Sequence, residues 1–436
     1  GQVVPPPILG AMPRDDELLA LVGIAGDLMS RHLVPALARL EQRGDLEGVA
    51  LLGLDRADLE DDALRARAAA SIAASAPDVP EPVVRRLLGR LAYRRADVTG
   101  PTPELRDAAL VHVALPPHVL RRAADTLADV DPARGRRLVV EKPYGTSGAE
   151  ARELDATLLA TTPEERLHRA DHLLHHGAVL DVDLVHDRVA ALRPRLRSVE
   201  VRWDEPAALG ARAAAFDHVG AVRDMVQSHL LQLLATVLGA CPPGAGAEEA
   251  RDRRHAVLAS LDAPPLDELD RAWVRARYSA GSVGGVEVPA YVDEPGVDPS
   301  RLTETAAVLL LRLGDVDVHL VTGKAVSPVR RHVVLELEGA PSRVVLDLSG
   351  ARLVMTEDGV ELPVAGSREA LPASARQLMA ARAGELRRFV RGDEVAEQWR
   401  VCDAVLDRWQ AGGVPMLEHP AGSPGPGAAA PRPTAT

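Results

Sequence analysis

The first 150 residues alternate short, wholly apolar runs with helical stretches. Apolar runs lie at Leu18–Gly23 and Val49–Leu54, and similar runs follow at Ala109–Leu115 and Arg137–Glu141. Ala-, Arg- and Leu-rich segments with helical character separate them. Continuous apolar strands that alternate with helices are typical of a parallel sheet with helices on both faces. The pattern therefore predicts an α/β, doubly wound domain over residues 15–148.

The pattern changes beyond about Gly148. Long helical stretches are predicted at Ala149–Ala160 and Val219–Leu238. Runs with strand character lie at Ser198–Trp203, Ala306–Leu313, Val316–Thr322, Val333–Glu338 and Arg343–Leu348. Because several of these strands follow one another without a helix between them, they favour antiparallel pairing. We therefore predict a second, α+β domain with a large, mainly antiparallel sheet over residues 149–415.

The two ends of the chain have compositions that do not favour a packed core. Residues 1–14 contain three consecutive prolines and lack the basic start and apolar run of a signal peptide. Residues 416–436 are rich in proline, glycine and alanine. The sequence thus predicts a flexible arm at 1–14 and a disordered tail at 416–436.

Composition narrows the class of protein. A chain of 436 residues with 46% hydrophobic and 26% charged residues is ordinary for a globular protein of two or three domains. Its formal charge of -12 argues against general affinity for nucleic acid or anionic membranes. Two cysteines, Cys241 and Cys402, form neither a disulfide framework nor a zinc motif. We expect a cytoplasmic protein without a bound metal.

The use of basic residues is unusual. Of the 51 basic residues only two, Lys142 and Lys324, are lysines. Lysine carries a compact ammonium group, whereas arginine carries a wide planar fork. Lysines retained in such a background indicate sites too tight for a guanidinium group, although the retention of two residues by chance is the alternative.

A turn after the first predicted strand is a candidate phosphate site. Residues 23–28 read GIAGDL and open a helix, where backbone amides favour an anion, although this is not a full G-x-G-x-x-G motif. The second strand ends at Asp55 and Arg56. Asp55 could accept a hydrogen bond from a ribose 2′-hydroxyl, which favours NAD, and Arg56 could pair with a 2′-phosphate, which favours NADP. The first domain is therefore predicted to be Rossmann-like and to bind a dinucleotide.

Several short motifs follow one another along the chain. They are LPP at 115–117, EKPYG at 141–145, RADH at 169–172, RDMVQSHLLQ at 223–232, TET at 303–305, TGKA at 322–325, and Phe389–Asp393 with Trp399. Both lysines of the chain fall inside these motifs. In residue types and order the motifs resemble the glucose-6-phosphate dehydrogenase family. The resemblance spans about Leu18 to Trp409, and each motif is modest alone, whereas their common order is specific.

The resemblance implies a sugar 1-dehydrogenase that uses NADP, with NAD as the alternative cofactor. His229 matches the family's catalytic base, and Asp171 matches the carboxylate that supports it. The implied sugar-binding residues are Lys142, His172, His176, Glu205, Asp224 and Lys324. The implied cofactor-binding residues are Gly23, Ala25, Gly26, Asp27, Leu28, Asp55, Arg56, Pro116 and Lys142. The resemblance also implies a homo-oligomer, either a dimer or a tetramer.

The chain departs from the family pattern where the substrate phosphate would be held. After Asp-His the family reads YLGKE, whereas this chain reads LLHHG at 173–177, so the tyrosine is replaced by Leu173 and the lysine by His176. The family also has an arginine downstream of the lysine that Lys324 matches. In this chain Val329 stands at that position, and Arg330 and Arg331 follow it. A histidine holds a phosphate dianion less firmly than a lysine near neutral pH.

These departures leave three hypotheses. The leading one is oxidation of glucose 6-phosphate, or of a related aldose, at C1 to the lactone. The second keeps this chemistry but changes the sugar to an unphosphorylated, amino or modified one. The third is a catalytically silent cofactor-binding homologue. It is motivated by Ser228, which stands where the family has an asparagine before the base, and by the alanines at residues 213–215.

Overall fold

The computed structural model describes residues 17–128, 136–364 and 371–426. The chain forms two compact units. The first, here called the parallel-sheet unit, comprises residues 1–142, 154–170 and 374–385. The second, here called the mixed-sheet unit, comprises residues 143–153, 171–373 and 386–436. Each unit is described by itself below.

A six-stranded, all-parallel sheet forms the core of the parallel-sheet unit. Its strands are β1 (Glu17–Val22), β2 (Val49–Asp55), β3 (Leu91–Arg95), β4 (Leu110–Val113), β5 (Arg137–Glu141) and β6 (Leu167–Ala170). The order is β3-β2-β1-β4-β5-β6. The order reverses between β1 and β4, and in such sheets ligands bind outside the carboxyl ends of the strands at that reversal. The predicted doubly wound domain is confirmed.

The mixed-sheet unit contains a ten-stranded sheet and a separate two-stranded hairpin. Its strands are β7 (Leu196–Asp204), β8 (Leu261–Asp262), β9 (Trp273–Ser279), β10 (Gly281–Val283), β11 (Val286–Val288), β12 (Ala306–Leu313), β13 (Val316–Gly323), β14 (Arg331–Leu337), β15 (Arg343–Asp347), β16 (Val354–Glu357), β17 (Val360–Leu362) and β18 (Met416–Pro420). The large sheet has the order β17-β16-β15-β14-β7-β13-β12-β9-β18, and β8 pairs with β12.

Most neighbours in the large sheet are antiparallel, as the sequence predicts. Two pairs are parallel, namely β7 with β13 and β9 with β18. Since β7 and β13 run in the same direction, their carboxyl ends lie side by side, with Asp204 opposite Gly323. The residues that follow these two strands, Glu205 and Lys324, are thereby placed next to each other.

The described residues also contain thirteen α-helices. They are α1 (Val34–Arg43), α2 (Asp61–Ser75), α3 (Glu81–Gly89), α4 (Pro117–Ala128), α5 (Gly148–Leu159), α6 (Gly177–Leu180), α7 (His186–Leu192), α8 (Ala213–Phe216), α9 (Leu231–Leu238), α10 (Ala247–Ala259), α11 (Leu269–Ala272), α12 (Ala373–Ala383) and α13 (Gly392–Gln410). Within the described ranges, no helix is both long enough and apolar enough to cross a membrane.

Helix α9 lies at the centre of the mixed-sheet unit, and all eight of its residues are buried. A buried cluster of polar groups ties it to the helices around it. The carboxylate of Glu394 on α13 accepts hydrogen bonds from Gln232 Nε2 on α9 at 2.7 Å and from Arg254 Nε on α10 at 2.8 Å. Because Glu394 and Arg254 are both buried, each charge depends on the other for compensation.

Two boundaries differ from those that the sequence predicts. Strand β6, at residues 167–170, is the sixth strand of the parallel sheet, although it lies beyond the predicted boundary at 148. The prediction of disorder from residue 416 is wrong for residues 416–426, because β18 pairs in parallel with β9 from Met416 to Pro420. Backbone hydrogen bonds hold strand β18, whose side chains are mostly accessible. The predicted arm at 1–14 and residues 427–436 lie outside the described residues.

The buried Glu394 network generates a prediction about stability. We expect Glu394→Gln to lower the free energy of unfolding by about 3 kcal/mol, because it leaves the buried Arg254 guanidinium without its counter-charge. The matched control is Glu397→Gln on the same helix, which removes only the surface pair with Arg400 and should cost less than about 1 kcal/mol. Urea unfolding followed by tryptophan fluorescence measures both. Equal losses for the two variants would contradict the assigned role of the network.

Candidate functional site

The turn after β1 meets the geometric requirements of a phosphate-binding turn. Gly23 has a φ of +83°, and a Cβ atom there would lie 2.3 Å from the carbonyl oxygen of Ala114. Only glycine fits this position. A helix begins at Asp27, directly after the turn, and passes through a π-helical turn into α1. The first amides of such a helix have no intrahelical partner and attract an anion. Of the five residues predicted here, Gly23, Ala25 and Gly26 lie in the turn, and Asp27 and Leu28 open the helix.

Asp55 ends β2 and Arg56 follows it, and their side chains differ in what they contact. The Asp55 carboxylate accepts hydrogen bonds from the amides of Ala25 at 3.1 Å and Ala57 at 3.0 Å. Asp55 therefore joins the two neighbouring loops. Arg56 is exposed, and no hydrogen bond or ion pair joins its guanidinium group to the described part of the chain. Its guanidinium group is therefore an exposed cation directly after β2.

The other two residues predicted to bind the cofactor lie at the same edge of the parallel sheet. Pro116 follows β4 and immediately precedes α4, while Lys142 directly follows β5. Since β1, β2, β4 and β5 are parallel, their carboxyl ends all open on one side of the sheet. Pro116 and Lys142 thus both lie at this edge of the sheet, and their role in cofactor binding stays a prediction.

His229 and Asp171 meet in the mixed-sheet unit, although 58 positions separate them in the chain. Nδ1 of His229 lies 2.6 Å from Oδ1 of Asp171, and the two side chains are only 5% and 1% exposed. Oδ1 also accepts a hydrogen bond from the amide of Leu173 at 3.0 Å. The carboxylate is therefore held by the turn that it caps, and it directs Nδ1 of the histidine.

The ring of His172 completes this cluster. It packs edge-on against the ring of His229, with the two centroids 4.8 Å apart. Asp171, His172 and His229 each place one ligand-type atom within 4.8 Å of the others, a spacing that a metal ion could also use. Because the Asp171 oxygen is already 2.6 Å from Nδ1 and accepts the Leu173 amide, the arrangement fits a histidine–carboxylate pair better than a metal centre.

The helix that carries His229 has an unusual geometry and a buried cap. Residues Val222–Leu230 form π-helical turns that continue into α9, and such wide turns are frequent at functional sites. At the start of this helix, Oε1 of Glu304 accepts a hydrogen bond from the Val222 amide at 2.9 Å. Burial raises the pKa of Glu304, although the hydrogen bond from the Val222 amide acts to lower it. Gly220, with a φ of +77°, leaves the space for the carboxylate.

Lys324 is the centre of a second cluster in the same unit. Its ammonium group donates to Oδ2 of Asp224 at 2.7 Å and to the carboxylate of Glu205. The lysine side chain is 3% exposed, whereas both carboxylates are 29% exposed. Burial lowers the pKa of Lys324, but the charges of Asp224 and Glu205 outweigh burial, so that the pKa is raised overall. The ammonium group therefore stays charged near neutral pH, and it faces two carboxylates that solvent can reach.

His176 packs against Trp203. The two rings meet edge to face, with centroids 6.0 Å apart. The guanidinium carbon of Arg331 lies 5.2 Å from the centre of the Trp203 ring, which is a cation–π arrangement. His176, Trp203 and Arg331 thus form a group at the carboxyl end of β7 in which the two charged or polar side chains are half-buried and the tryptophan is buried.

Three residues at the site are missed by the sequence analysis as functional positions: Glu304, Trp203 and Phe216. Glu304 is part of a recognised motif, but its role as a helix cap depends on burial, which composition does not report. The ammonium group of Lys324 lies 5.3 Å from the centre of the Phe216 ring. The scarcity of aromatic residues, 2% of the chain, is a signal that draws attention to Trp203 and Phe216.

Comparisons with known proteins agree with this geometry. Residues 20–180 match the family described as "Glucose-6-phosphate dehydrogenase, NAD binding domain", and residues 193–361 match "Glucose-6-phosphate dehydrogenase, C-terminal domain". Glucose-6-phosphate 1-dehydrogenase of Gluconobacter oxydans is 30% identical over 468 residues, covering 93% of this chain and 94% of the relative. The Bacillus subtilis enzyme of that name is 27% identical and covers 94% of this chain and 95% of its own length.

A solved structure gives the same result. The crystal structure of glucose-6-phosphate 1-dehydrogenase from Mycobacterium avium superimposes with a TM-score of 0.78 at 29% identity, covering 95% of this chain and 96% of that one. Both sheets and both units of the chain fall within this coverage. This chain therefore belongs to the glucose-6-phosphate dehydrogenase family.

Proposed function

We propose that this chain oxidises glucose 6-phosphate at C1 to the lactone, with NADP as hydride acceptor and His229 as general base. The observation that carries the proposal is the buried contact of 2.6 Å between His229 and Asp171. It occurs in a chain whose full-length relatives carry the name glucose-6-phosphate 1-dehydrogenase. The contact supplies what an alcohol oxidation needs from a protein, namely a base of fixed orientation.

The carboxylate determines which nitrogen of His229 is the base. With Asp171 beside Nδ1, the proton of the neutral ring is assigned to Nδ1, and the lone pair is left on Nε2. Nε2 takes the proton of the C1 hydroxyl group while the C1 hydrogen leaves as hydride. The imidazolium that forms is stabilised by the Asp171 charge. Bound NADP supplies the acceptor for that hydride.

The parallel-sheet unit supplies the groups that would hold NADP. The turn at residues 23–28 fits a phosphate group at the start of a helix. The Asp55 carboxylate already accepts two backbone amides, whereas the Arg56 guanidinium is exposed. Arg56 therefore favours a 2′-phosphate over a bare 2′-hydroxyl, which supports NADP over NAD.

The Lys324 cluster supplies both donors and acceptors for sugar hydroxyl groups. The charged ammonium group of Lys324 donates, and the partly exposed carboxylates of Asp224 and Glu205 accept. A guanidinium group is too wide to replace an ammonium group that is 3% exposed between two carboxylates and an aromatic ring. This explains the retention of a lysine here in an arginine-rich chain. Lys142, at the end of β5, is the other sugar donor that we propose.

His172, His176 and Arg331 are the groups that we propose for the substrate phosphate. Arg331 is held over the Trp203 ring, and His176 meets the edge of the same ring. Arginine forms paired hydrogen bonds to phosphate and keeps its charge at any physiological pH. It thus compensates in part for the lysine that the family has where this chain has His176. A homo-oligomer, dimer or tetramer, and a cytoplasmic location stay predictions from the sequence.

The assigned base generates the first functional prediction. We expect His229→Asn to lower kcat with glucose 6-phosphate about 10²- to 10⁴-fold, because the amide cannot take the C1 hydroxyl proton. Steady-state formation of NADPH, followed by absorbance, measures this change. The control is His218→Asn, which alters an exposed histidine on the same unit and should retain activity. Equal activity of the two variants, with NADP binding intact, would rule out His229 as the base.

Arg56 generates a prediction about cofactor choice. We expect Arg56→Ala to raise the KM for NADP about ten- to hundredfold, because the loss of one charge-assisted contact to a phosphate group is worth about 1.5–3 kcal/mol. The KM for NAD should not change. Arg106→Ala, another exposed arginine of the same unit, is the matched control. A parallel change in both KM values would show that Arg56 does not contact the 2′-phosphate.

His176 generates a prediction about the sugar. We expect His176→Lys to lower the KM for glucose 6-phosphate several-fold at pH 8, where lysine is charged and an ordinary histidine is mostly neutral. The KM for unphosphorylated glucose should not change. A wild-type enzyme with a higher kcat/KM for glucose than for glucose 6-phosphate would instead favour the second hypothesis, a sugar without phosphate.

A further inference from the structure

The chain continues past β18 as an ordered segment that we name the C-terminal strap, residues 421–425. Strand β18 ends at Pro420, which pairs with Ser279 of β9. The pairing goes on beyond the strand, because the Ala421 amide donates to the Ser279 carbonyl at 3.1 Å and the Ser282 amide donates to the Ala421 carbonyl at 3.2 Å. The strap therefore begins from a fixed edge of the large sheet.

The strap contacts the loop that carries Lys324, residues 324–327. The Gly422 amide donates to the Ala325 carbonyl at 2.7 Å, and the Ser327 amide donates to the Ser423 carbonyl at 3.0 Å. On its other side the loop is bound by the segment after β7, because the Val326 amide donates to the Glu205 carbonyl at 3.2 Å. The Lys324 loop thus lies between the strap and the segment that carries Glu205.

Two arginine side chains also hold the strap, through a backbone carbonyl. The guanidinium groups of Arg202 and Arg330 both donate to the Pro424 carbonyl, at 3.0 and 2.8 Å. Both also reach Oδ2 of Asp204, at 2.9 and 3.3 Å, and Asp204 and Arg202 are almost fully buried. A backbone carbonyl held by two charged donors is a strong anchor, because hydrogen bonds to charged groups are worth about 1.5–3 kcal/mol each.

The loop needs such support, because its backbone is strained beside the lysine. Ala325 has a φ of +54°, a left-handed conformation that is unfavourable for a residue with a Cβ atom. Ala325 packs in one buried apolar cluster with Ala421 of the strap and with Phe216. The ring of Phe216 is also the ring beneath the Lys324 ammonium group. Backbone and side-chain contacts therefore both lead from the strap to Lys324.

We propose that the C-terminal strap is a positioning element for sugar binding, which holds the Lys324 loop so that the ammonium group meets the substrate between Asp224 and Glu205. The proposal rests on the sugar-binding role of Lys324 in the proposed function. The strap itself contacts no reacting atom. Its effect passes through the loop, so that loss of the strap mimics part of the loss of Lys324.

Gly422 provides a sharp test, because its place in the strap requires glycine. Its φ is +82°, and a Cβ atom would lie 1.9 Å from the carbonyl oxygen of Ser282. Gly412 has nearly the same φ, +84°, but a Cβ atom there meets nothing within 4 Å. Gly412→Ala therefore carries the same backbone penalty as Gly422→Ala without displacing the strap.

We expect Gly422→Ala to lower kcat/KM for glucose 6-phosphate about ten- to hundredfold, mainly through KM, because small displacements of positioning groups cost that much. The KM for NADP should not change, and Gly412→Ala should keep the wild-type KM for the sugar. In a Lys324→Ala background, Gly422→Ala should cause little further loss, since the two act through the same group. Equal losses in both backgrounds, or equal effects of the two glycine variants, would overturn the proposal.

A second pair of variants covers the case in which Gly422→Ala does not fold. A chain that ends after residue 420 lacks the strap but keeps β18, whereas a chain that ends after residue 426 keeps both. We expect the raised sugar KM in the shorter chain only. Equal sugar KM values in the two chains would contradict the role of the strap.

Hydrogen exchange separates failure of this proposal from failure of the proposed function. We expect amides 324–327 to exchange faster in Gly422→Ala than in Gly412→Ala, because the hydrogen bond from Ser327 to the strap is lost. This readout needs no turnover. A wild-type protein inactive on glucose 6-phosphate would defeat the proposed function alone, whereas unchanged exchange would show that the strap does not hold the loop.

Discussion

The contact between Asp171 and His229 is the constraint on which the chemistry of this protein depends. It removes a carboxylate and an imidazole ring from solvent, which is costly unless each group has a partner. Oδ1 accepts a hydrogen bond from the Leu173 amide, which holds the carboxylate where it faces Nδ1 of His229. The elements around the pair serve this alignment: a capped turn on one side, and on the other a helix whose Val222 amide is capped by Glu304.

Buried carboxylates hold several elements of the mixed-sheet unit in place. Glu304 caps the helix of His229, Glu394 ties the continuation of that helix to its neighbours, and Asp204 anchors Arg202 and Arg330 beneath the strap. Replacement of a satisfied buried pair by apolar residues is often neutral for stability. These buried charges are therefore better explained by the orientation of the helices and side chains that they hold than by the stability of the fold. Hydrogen bonds fix the direction of a group, whereas apolar contacts do not.

The sequence predicts those parts of the fold in which burial and composition agree. β1 and β2 are buried on both faces and read as continuous apolar runs. β3 and β6 contain arginine or histidine among four or five residues, so their pattern does not stand out from the loops around them. β18, with the sequence MLEHP, is an edge strand with mostly accessible side chains, held by its backbone. No hydrophobic pattern marks such a strand.

The residues of the site also divide into those that the sequence predicts and those that it does not. Colinear motifs and the two lysines lead to His229, Asp171 and Lys324, because these residue types carry the chemistry. The residues that position them do so through backbone groups or through burial: Glu304 through the amide of Val222, and Gly422 through the carbonyl of Ala325. A backbone hydrogen bond leaves no trace in side-chain composition. A Pro- and Gly-rich segment can therefore look disordered in sequence and still align a charged group at the site, since glycine permits the close approach and the carbonyl of a proline accepts hydrogen bonds like that of any other residue.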